Sequence, residues 1–234
     1  MRNKTLLTLP ELIMLEAKPK PLEIDVQRMA IIIVDMQNAF ISKGGLFDLR
    51  SFDLSESQKC IEPITNISSI ARKKGIEVIY ITHQLSSDLH ELSPNSPYWY
   101  HEGVRYREKP EWRDKMAIHG TWGAAIVDRL NPDEGEIVVE KQRYSAFFAT
   151  NLDMILKMHN MKYLVFTGVT TNICVEASIR DAFYLEYFPI LISDATAAPG
   201  PPFLKDATIY NIEHCYGWVT TAANLARAMG TIKT

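Results

Sequence analysis

Five short, mostly apolar runs rich in β-branched residues recur along this chain, separated by polar loops and by stretches with helical spacing. They are Met29–Val34, Ile76–Thr82, Glu136–Glu140, Tyr163–Thr167 and Phe188–Ser193. Short continuous runs of this kind are typical of strands buried on both faces of a sheet. Strands that alternate with helices predict an α/β fold, in which a parallel sheet carries helices on both faces through right-handed crossovers.

Apolar residues at helical spacing predict the helices between these strands. The predicted helices are Ser57–Lys74, Leu152–His159, Asn172–Glu186, Phe203–His214 and Thr220–Met229. Gly75 stands where a helix C-terminal cap is expected. A chain of 234 residues without repeats or a linker-like tract predicts one domain over residues 1–234.

Two segments do not fit this alternation. Residues 1–27 form an N-terminal extension whose apolar residues are interrupted by Pro10 and two glutamates, unlike a targeting peptide. We expect the extension to lie across a neighbouring subunit. Residues 83–122 carry three prolines and several aromatic residues without clear periodicity. A long segment of this kind predicts either a lid over a site or a subunit contact.

Composition excludes several classes of protein. Charged residues make up 23% of the chain and the net charge is −3, unlike the basic surface of a nucleic-acid-binding protein. The chain contains no run of about eighteen apolar residues, the length that a membrane-spanning helix needs. Cys60, Cys174 and Cys215 are widely spaced and include no CxxC pair, so we expect neither a disulfide framework nor a cysteine zinc site. Such cysteine usage favours the cytoplasm.

Three chemically active residues follow predicted strands. Asp35 ends the first strand, Lys141 follows the third, and Cys174 lies shortly after the fourth, in the first turn of a predicted helix. Active groups of parallel sheets collect beyond the carboxyl ends of the strands, so these side chains are expected in one crevice. Singly, each has an ordinary interpretation: a loop carboxylate, a solvated lysine and a buried cysteine.

Together the three residues suggest nucleophilic catalysis. A helix N-terminus and the Lys141 ammonium would lower the pKa of the Cys174 thiol. Asp35 would accept the thiol proton and later return it to a leaving nitrogen. Two alternatives of a different class remain open: a non-catalytic protein on the same fold, and a redox sensor with Cys215 as the resolving thiol.

Three stretches carry a resemblance to a known family. They are "IIIVDMQNAF", "VVEKQRYSAFF" and "VFTGVTTNICVEASIRDAFYLEYFPILISDAT". In this order they resemble the isochorismatase-like cysteine hydrolases, and the likeness extends from about residue 28 to 220. The resemblance implies a Rossmann-like, three-layer α/β/α sandwich around a six-stranded, mainly parallel sheet. It also implies a homo-oligomer, a dimer or a tetramer.

The resemblance also assigns site residues. Asp35, Lys141 and Cys174 match the family's catalytic triad, and no cofactor or metal is implied. The family places a cis peptide before the cysteine, here Val169–Thr170, so that the backbone N–H groups of Thr170 and Cys174 would bind the oxyanion. Residues expected to line the substrate pocket are Asn38, Phe40 and Tyr144.

The activity implied is hydrolysis of a C–N bond in a small ureido or carbamoyl substrate, through a thioester that releases carbamate or ammonia. The likeness is strongest to members that hydrolyse ureidoacrylate. However, "THQLSSDLH" lacks the Asn and Trp that those members tend to carry after the second strand. Hydrolysis of biuret, triuret, N-carbamoyl amino acids or nicotinamide therefore stays open. Nicotinamidases use an Asp-x-His metal motif that is missing here, although His83, Asp88 and His90 lie in that region.

Overall fold

The computed structural model describes residues 10–230, and a six-stranded parallel sheet forms its centre. Two strands precede this sheet, β1 (Leu12–Leu15) and β2 (Leu22–Asp25). The sheet itself consists of β3 (Met29–Val34), β4 (Glu77–His83), β5 (Ile137–Lys141), β6 (Tyr163–Val169), β7 (Phe188–Ala197) and β8 (Trp218–Thr220). Its order is β5-β4-β3-β6-β7-β8, and every neighbouring pair is parallel. The predicted α/β class and six-stranded sheet are confirmed.

Helices cover both faces of the sheet. The helices are α1 (Asn38–Ile41), α2 (Leu46–Leu49), α3 (Ser55–Lys59), α4 (Ile61–Lys74), α5 (Val104–Glu108), α6 (Leu152–Met158), α7 (Glu176–Tyr184), α8 (Phe203–Asn211) and α9 (Ala222–Gly230). One apolar core contains residues of α4 and α9, and the core on the opposite face contains residues of α6 and α7. The result is the three-layer arrangement that the family resemblance implied.

The continuous apolar run at Met29–Val34 is explained by the central place of β3. All six of its residues are buried. Ile31 and Ile33 belong to the core beneath α4 and α9, whereas Ala30, Ile32 and Val34 belong to the core beneath α6 and α7. A strand whose two faces each pack into an apolar core has no polar face, so its sequence is apolar throughout.

The N-terminal extension contains a hairpin that its sequence did not reveal. β1 and β2 pair in antiparallel register, and Ile13, Leu15 and Ile24 are buried in the core beneath α9. The outward residues Leu12 and Met14 are 52% and 59% exposed. The extension therefore packs on its own chain through one face. We expected residues 1–9 to take part in the subunit contact as well, and these residues lie outside the described part of the chain.

The segment 83–122 contains short helical turns that its sequence, which lacks clear periodicity, did not predict. After β4 it forms the π-helical turn Trp99–Gly103, then α5, then the 3₁₀ turn Pro110–Lys115. Each element has only five or six residues, too few for a hydrophobic period to be visible. Buried residues of the segment, among them Leu85, Leu92 and Met116, pack with Ala39 and Leu46 into a third core.

No helix within residues 10–230 combines the length and the apolar character that crossing a lipid bilayer requires.

Candidate active site

The sheet register brings the three predicted catalytic residues together. β3 lies between β4 and β6, and the last residue of β4, His83, is opposite Lys141 at the end of β5. The Lys141 Nζ atom is 2.7 Å from Asp35 Oδ2 and 3.4 Å from Cys174 Sγ. Lys141 and Asp35 are only 0% and 2% exposed. The ammonium group therefore contacts both the carboxylate and the thiol, and the carboxylate also forms a side-chain hydrogen bond with the thiol.

The backbone at these strand ends leaves little room for substitution. Asp35 has a φ of 50°, a left-handed conformation that side-chain-bearing residues adopt infrequently. Gly168 has a φ of 98°, and a Cβ atom there would lie 2.1 Å from the carbonyl oxygen of Val34. Glycine thus lets β6 approach β3 closely, one residue before Asp35.

Cys174 lies in a π-helical turn, Thr171–Val175, directly before α7. The sequence placed it in the first turn of an α-helix; the structure begins the regular helix only at Glu176. Ser178 Oγ donates a 2.6 Å hydrogen bond to the Cys174 carbonyl oxygen and fixes this turn to the helix. The expected cis peptide at Val169–Thr170 is confirmed.

Burial dominates the electrostatics of the three groups. Desolvation raises the pKa of Asp35, although the Lys141 charge opposes the shift. Burial would lower the pKa of Lys141, but the charges of Asp35 and Cys174 outweigh it, so the pKa of Lys141 is raised. Desolvation also raises the pKa of the Cys174 thiol. The predicted lowering of this thiol pKa is therefore wrong, because the loss of water outweighs the attraction of Lys141. The thiol keeps its proton until a base removes it.

A cavity of about 240 Å³ opens above these groups. Asp35, Thr170 and Cys174 line its floor, and Phe40 and Tyr144 line its wall as the resemblance implied. Most of the remaining wall is apolar, formed among others by Leu46, Phe47, Phe52, Val169, Ile173 and Leu204. A small, largely apolar cavity with a few convergent polar groups is typical of a small-molecule site.

Asn38 does not line this cavity. Its Nδ2 atom donates to the Trp122 carbonyl oxygen at 3.1 Å, and its Oδ1 atom accepts from Ser42 Oγ at 2.6 Å. The structure places Asn38 as a link between α1 and the loop at Trp122 and gives no support to the expected contact with substrate.

Two buried side chains that sequence reasoning did not assign also line the cavity. His83 and Tyr98 lie with Nε2 and Oη 3.1 Å apart. Burial, followed by the charges of Lys141 and Arg143, holds the pKa of His83 well below its ordinary value, so the imidazole is neutral. Gln37 fixes the backbone of His83, since its Oε1 accepts the His83 N–H and its Nε2 donates to the His83 carbonyl. In the sequence, the position of His83 at the end of a predicted strand was the one feature that pointed to a place in the site.

The wall also contains an ion pair, Arg50 and Glu102, which the sequence did not single out. No group of three or more His, Cys, Asp or Glu residues within residues 10–230 is arranged to hold a metal ion. The Asp88 and His90 side chains pair with each other at the surface, 72% and 69% exposed.

Comparison with known proteins agrees with this fold and this arrangement. The profile of the isochorismatase domain matches residues 29–224. The chain belongs to this family, and it is a hydrolase that acts on carbon–nitrogen bonds. The resemblance inferred from the sequence motifs is confirmed.

Relatives in two bacteria carry a more specific name. The chain is 43% identical to the ureidoacrylate amidohydrolase RutB of Azorhizobium caulinodans, over 94% of this chain and 98% of that protein. It is 40% identical to the protein of the same name from Caulobacter segnis, over 95% of each chain.

Solved structures show the same fold. A cysteine hydrolase from Pseudomonas syringae pv. phaseolicola matches with a TM-score of 0.75 and 25% identity, over 96% of this chain and 99% of that one. The N-carbamoylsarcosine amidase from Thermoplasma acidophilum matches with a TM-score of 0.62 and 28% identity, over 83% of this chain and 96% of that one.

Proposed function

We propose that this chain is a cysteine-dependent amidohydrolase that cleaves the carbamoyl C–N bond of a small ureido acid of the ureidoacrylate type. The observation that carries the proposal is the position of Lys141 Nζ, 2.7 Å from Asp35 and 3.4 Å from Cys174, at the floor of a small cavity. The names of the relatives support the choice of substrate, since they place ureidoacrylate and a carbamoyl compound in this family.

In the first half-reaction, Asp35 takes the proton of the Cys174 thiol while Sγ attacks the carbamoyl carbon. The raised pKa of Asp35 makes its carboxylate a stronger base than an exposed one. Lys141 offsets the negative charge that moves from carboxylate to sulfur. The backbone N–H groups of Thr170 and Cys174 bind the oxyanion of the tetrahedral intermediate.

Collapse of this intermediate breaks the C–N bond. Asp35 returns its proton to the departing nitrogen, the amine leaves, and a carbamoyl thioester remains on Cys174. In the second half-reaction Asp35 takes a proton from water, hydroxide adds to the thioester carbon, and the thiol is regenerated with the Asp35 proton. The second product is carbamate, which decomposes to ammonia and carbon dioxide.

An ammonia-release assay over five substrates tests the proposal. The panel is ureidoacrylate, biuret, triuret, an N-carbamoyl amino acid and nicotinamide. We expect the highest kcat/KM with ureidoacrylate. A carbamoylated Cys174 peptide, trapped by acid quench and detected by mass spectrometry, would support the thioester. A substrate preference for biuret or nicotinamide would contradict the assigned substrate, and labelling elsewhere than Cys174 would contradict the mechanism.

We further propose that the chain assembles as a homo-oligomer. Large apolar side chains on α7 and α8 support this assignment, since Tyr184, Phe203 and Tyr210 are each more than 60% exposed. Sedimentation velocity of the purified chain measures the assembly, and a monomer at micromolar concentration would contradict the proposal.

A further inference from the structure

The triad chemistry makes no use of the ion pair in the cavity wall. Arg50 directly follows α2, and Glu102 lies in the turn Trp99–Gly103, so the two come from different loops. Arg50 Nη1 is 3.8 Å from Glu102 Oε2. Charge-assisted hydrogen bonds between such groups are about 2.7–2.9 Å long, so these two atoms attract each other from beyond hydrogen-bond distance.

The Arg50 guanidinium is held by aromatic rings. Its central carbon lies 4.9 Å from the ring centre of Phe52 and 5.8 Å from that of Phe47. The Arg50 side chain is only 20% exposed. A planar guanidinium fixed in this way in an apolar wall suits the two oxygens of a carboxylate.

The charges around the cavity leave Arg50 as the group suited to an anion. The Asp35 carboxylate is matched by Lys141 at 2.7 Å, and the buried imidazole of His83 is neutral. Among the described residues that line the cavity, Arg50 carries the one cationic side chain. The Glu102 side chain is 24% exposed, so solvent also reaches the carboxylate that a substrate carboxylate would replace.

We propose that Arg50 binds the carboxylate of the substrate in place of Glu102, and so selects ureido acids over neutral ureido compounds. This inference rests on the proposed function, because it names the group that holds the far end of the same substrate. A ureido acid bound in this way points its carbamoyl end to the cavity floor, where Cys174 lies.

Two substrates that differ only in charge test the role of Arg50: 3-ureidopropionate and its methyl ester, with ammonia release as the readout. We expect Arg50→Gln to lower kcat/KM for the acid by about 10- to 100-fold, chiefly through KM, as for loss of a hydrogen bond to a charged group. For the ester the change should stay below about threefold, within the range of a neutral contact. Arg129→Gln is the matched control, since Arg129 also pairs with a glutamate, Glu62, and is 61% exposed. Arg129→Gln should leave kcat/KM unchanged for both substrates.

Glu102→Gln sharpens the test, because it removes the competing carboxylate: the KM of the acid should stay equal or fall. An equal loss for acid and ester in Arg50→Gln, or a rise in the KM of the acid in Glu102→Gln, would overturn the proposal. Calorimetric binding of both compounds to Cys174→Ala, with and without Arg50→Gln, decides the role of Arg50 without turnover. If the wild type cleaved neither compound, the ureidoacrylate assay would still decide the proposed function, and this binding experiment would still test Arg50.

Discussion

The carboxyl edge of the sheet and the segment 83–122 build the same cavity by different means. At the sheet edge, strands far apart in sequence pair in parallel. This pairing brings Asp35, Lys141 and Cys174 within hydrogen-bonding distance. In the segment, short turns and a separate apolar core hold Tyr98 and Glu102 over that edge. We propose that the edge supplies the reacting groups and that the segment acts as a lid that shapes substrate choice.

This difference predicts different kinetic effects in the two regions. Substitutions at the sheet edge should remove chemistry and lower kcat. Substitutions in the wall should change substrate binding and act through KM.

The largest effect is expected from Cys174→Ala. Removing the proposed nucleophile should lower kcat by at least about 10⁴-fold, because Cys174 is the one cysteine among the described residues that line the cavity. The fold should remain, since Cys174 is partly exposed to the cavity and alanine fits its place. Cys215→Ala is the matched control: this exposed thiol should be dispensable. Wild-type turnover in Cys174→Ala would exclude covalent catalysis at this residue.

The next largest effect is expected on stability, at the contact between β3 and β6. Gly168→Ala places a Cβ atom 2.1 Å from the Val34 carbonyl oxygen and keeps a positive φ of 98°. Left-handed strain and overpacking together should lower the free energy of unfolding by about 3 kcal/mol or more. Gly120→Ala separates the two causes, since Gly120 has a φ of 79° with open space around it. It should lose only about 1–2 kcal/mol in urea denaturation. Equal losses would show that the close strand approach is not the cause.

The sheet was predictable because its signal is local. β3 matched its predicted bounds, Met29–Val34, since a strand buried on both faces is apolar throughout. β8, by contrast, has only three residues, Trp218–Thr220, too few to produce a pattern. The hairpin of β1 and β2 was missed because its residues alternate over only four positions in each strand.

The candidate site was predictable in the same uneven way. Strand ends pointed to Asp35, Lys141 and Cys174, whereas Arg50 lies in a loop whose contact with the cavity depends on distant packing. The thiol pKa was predicted in the wrong direction, because the sequence shows neighbouring charges but not the loss of water around Cys174. Long-range packing and desolvation are the quantities that sequence patterns omit.

Asp35→Asn removes the proposed base and should lower kcat by at least about 10²-fold. Asp88→Asn, a surface aspartate of the segment 83–122, is the matched control and should have no effect. Asp35→Asn activity within a factor of about three of the wild type would exclude a general base at this position.

The pH profile of the wild type offers a second measurement on Asp35. Burial raises the pKa of this carboxyl above its ordinary value of 3.8. The protonated form cannot accept the thiol proton, so kcat/KM should fall as the pH drops through the raised pKa. The folded state also holds this proton more tightly than the unfolded state, so this one group adds stability as the pH falls toward 3.8. An acid limb at or below pH 3.8 would contradict the assignment.

The smallest effect is expected in the wall, from Tyr98→Phe. This change removes the hydroxyl that lies 3.1 Å from His83 Nε2, so stability should fall by about 1 kcal/mol. The imidazole loses a fixed orientation, and KM should rise about 2- to 5-fold with little change in kcat, the scale of one neutral hydrogen bond. Tyr100→Phe is the control, since Tyr100 is 71% exposed. A fall in kcat as large as that of Asp35→Asn would place Tyr98 in the chemistry, and the division between reacting edge and selecting wall would fail.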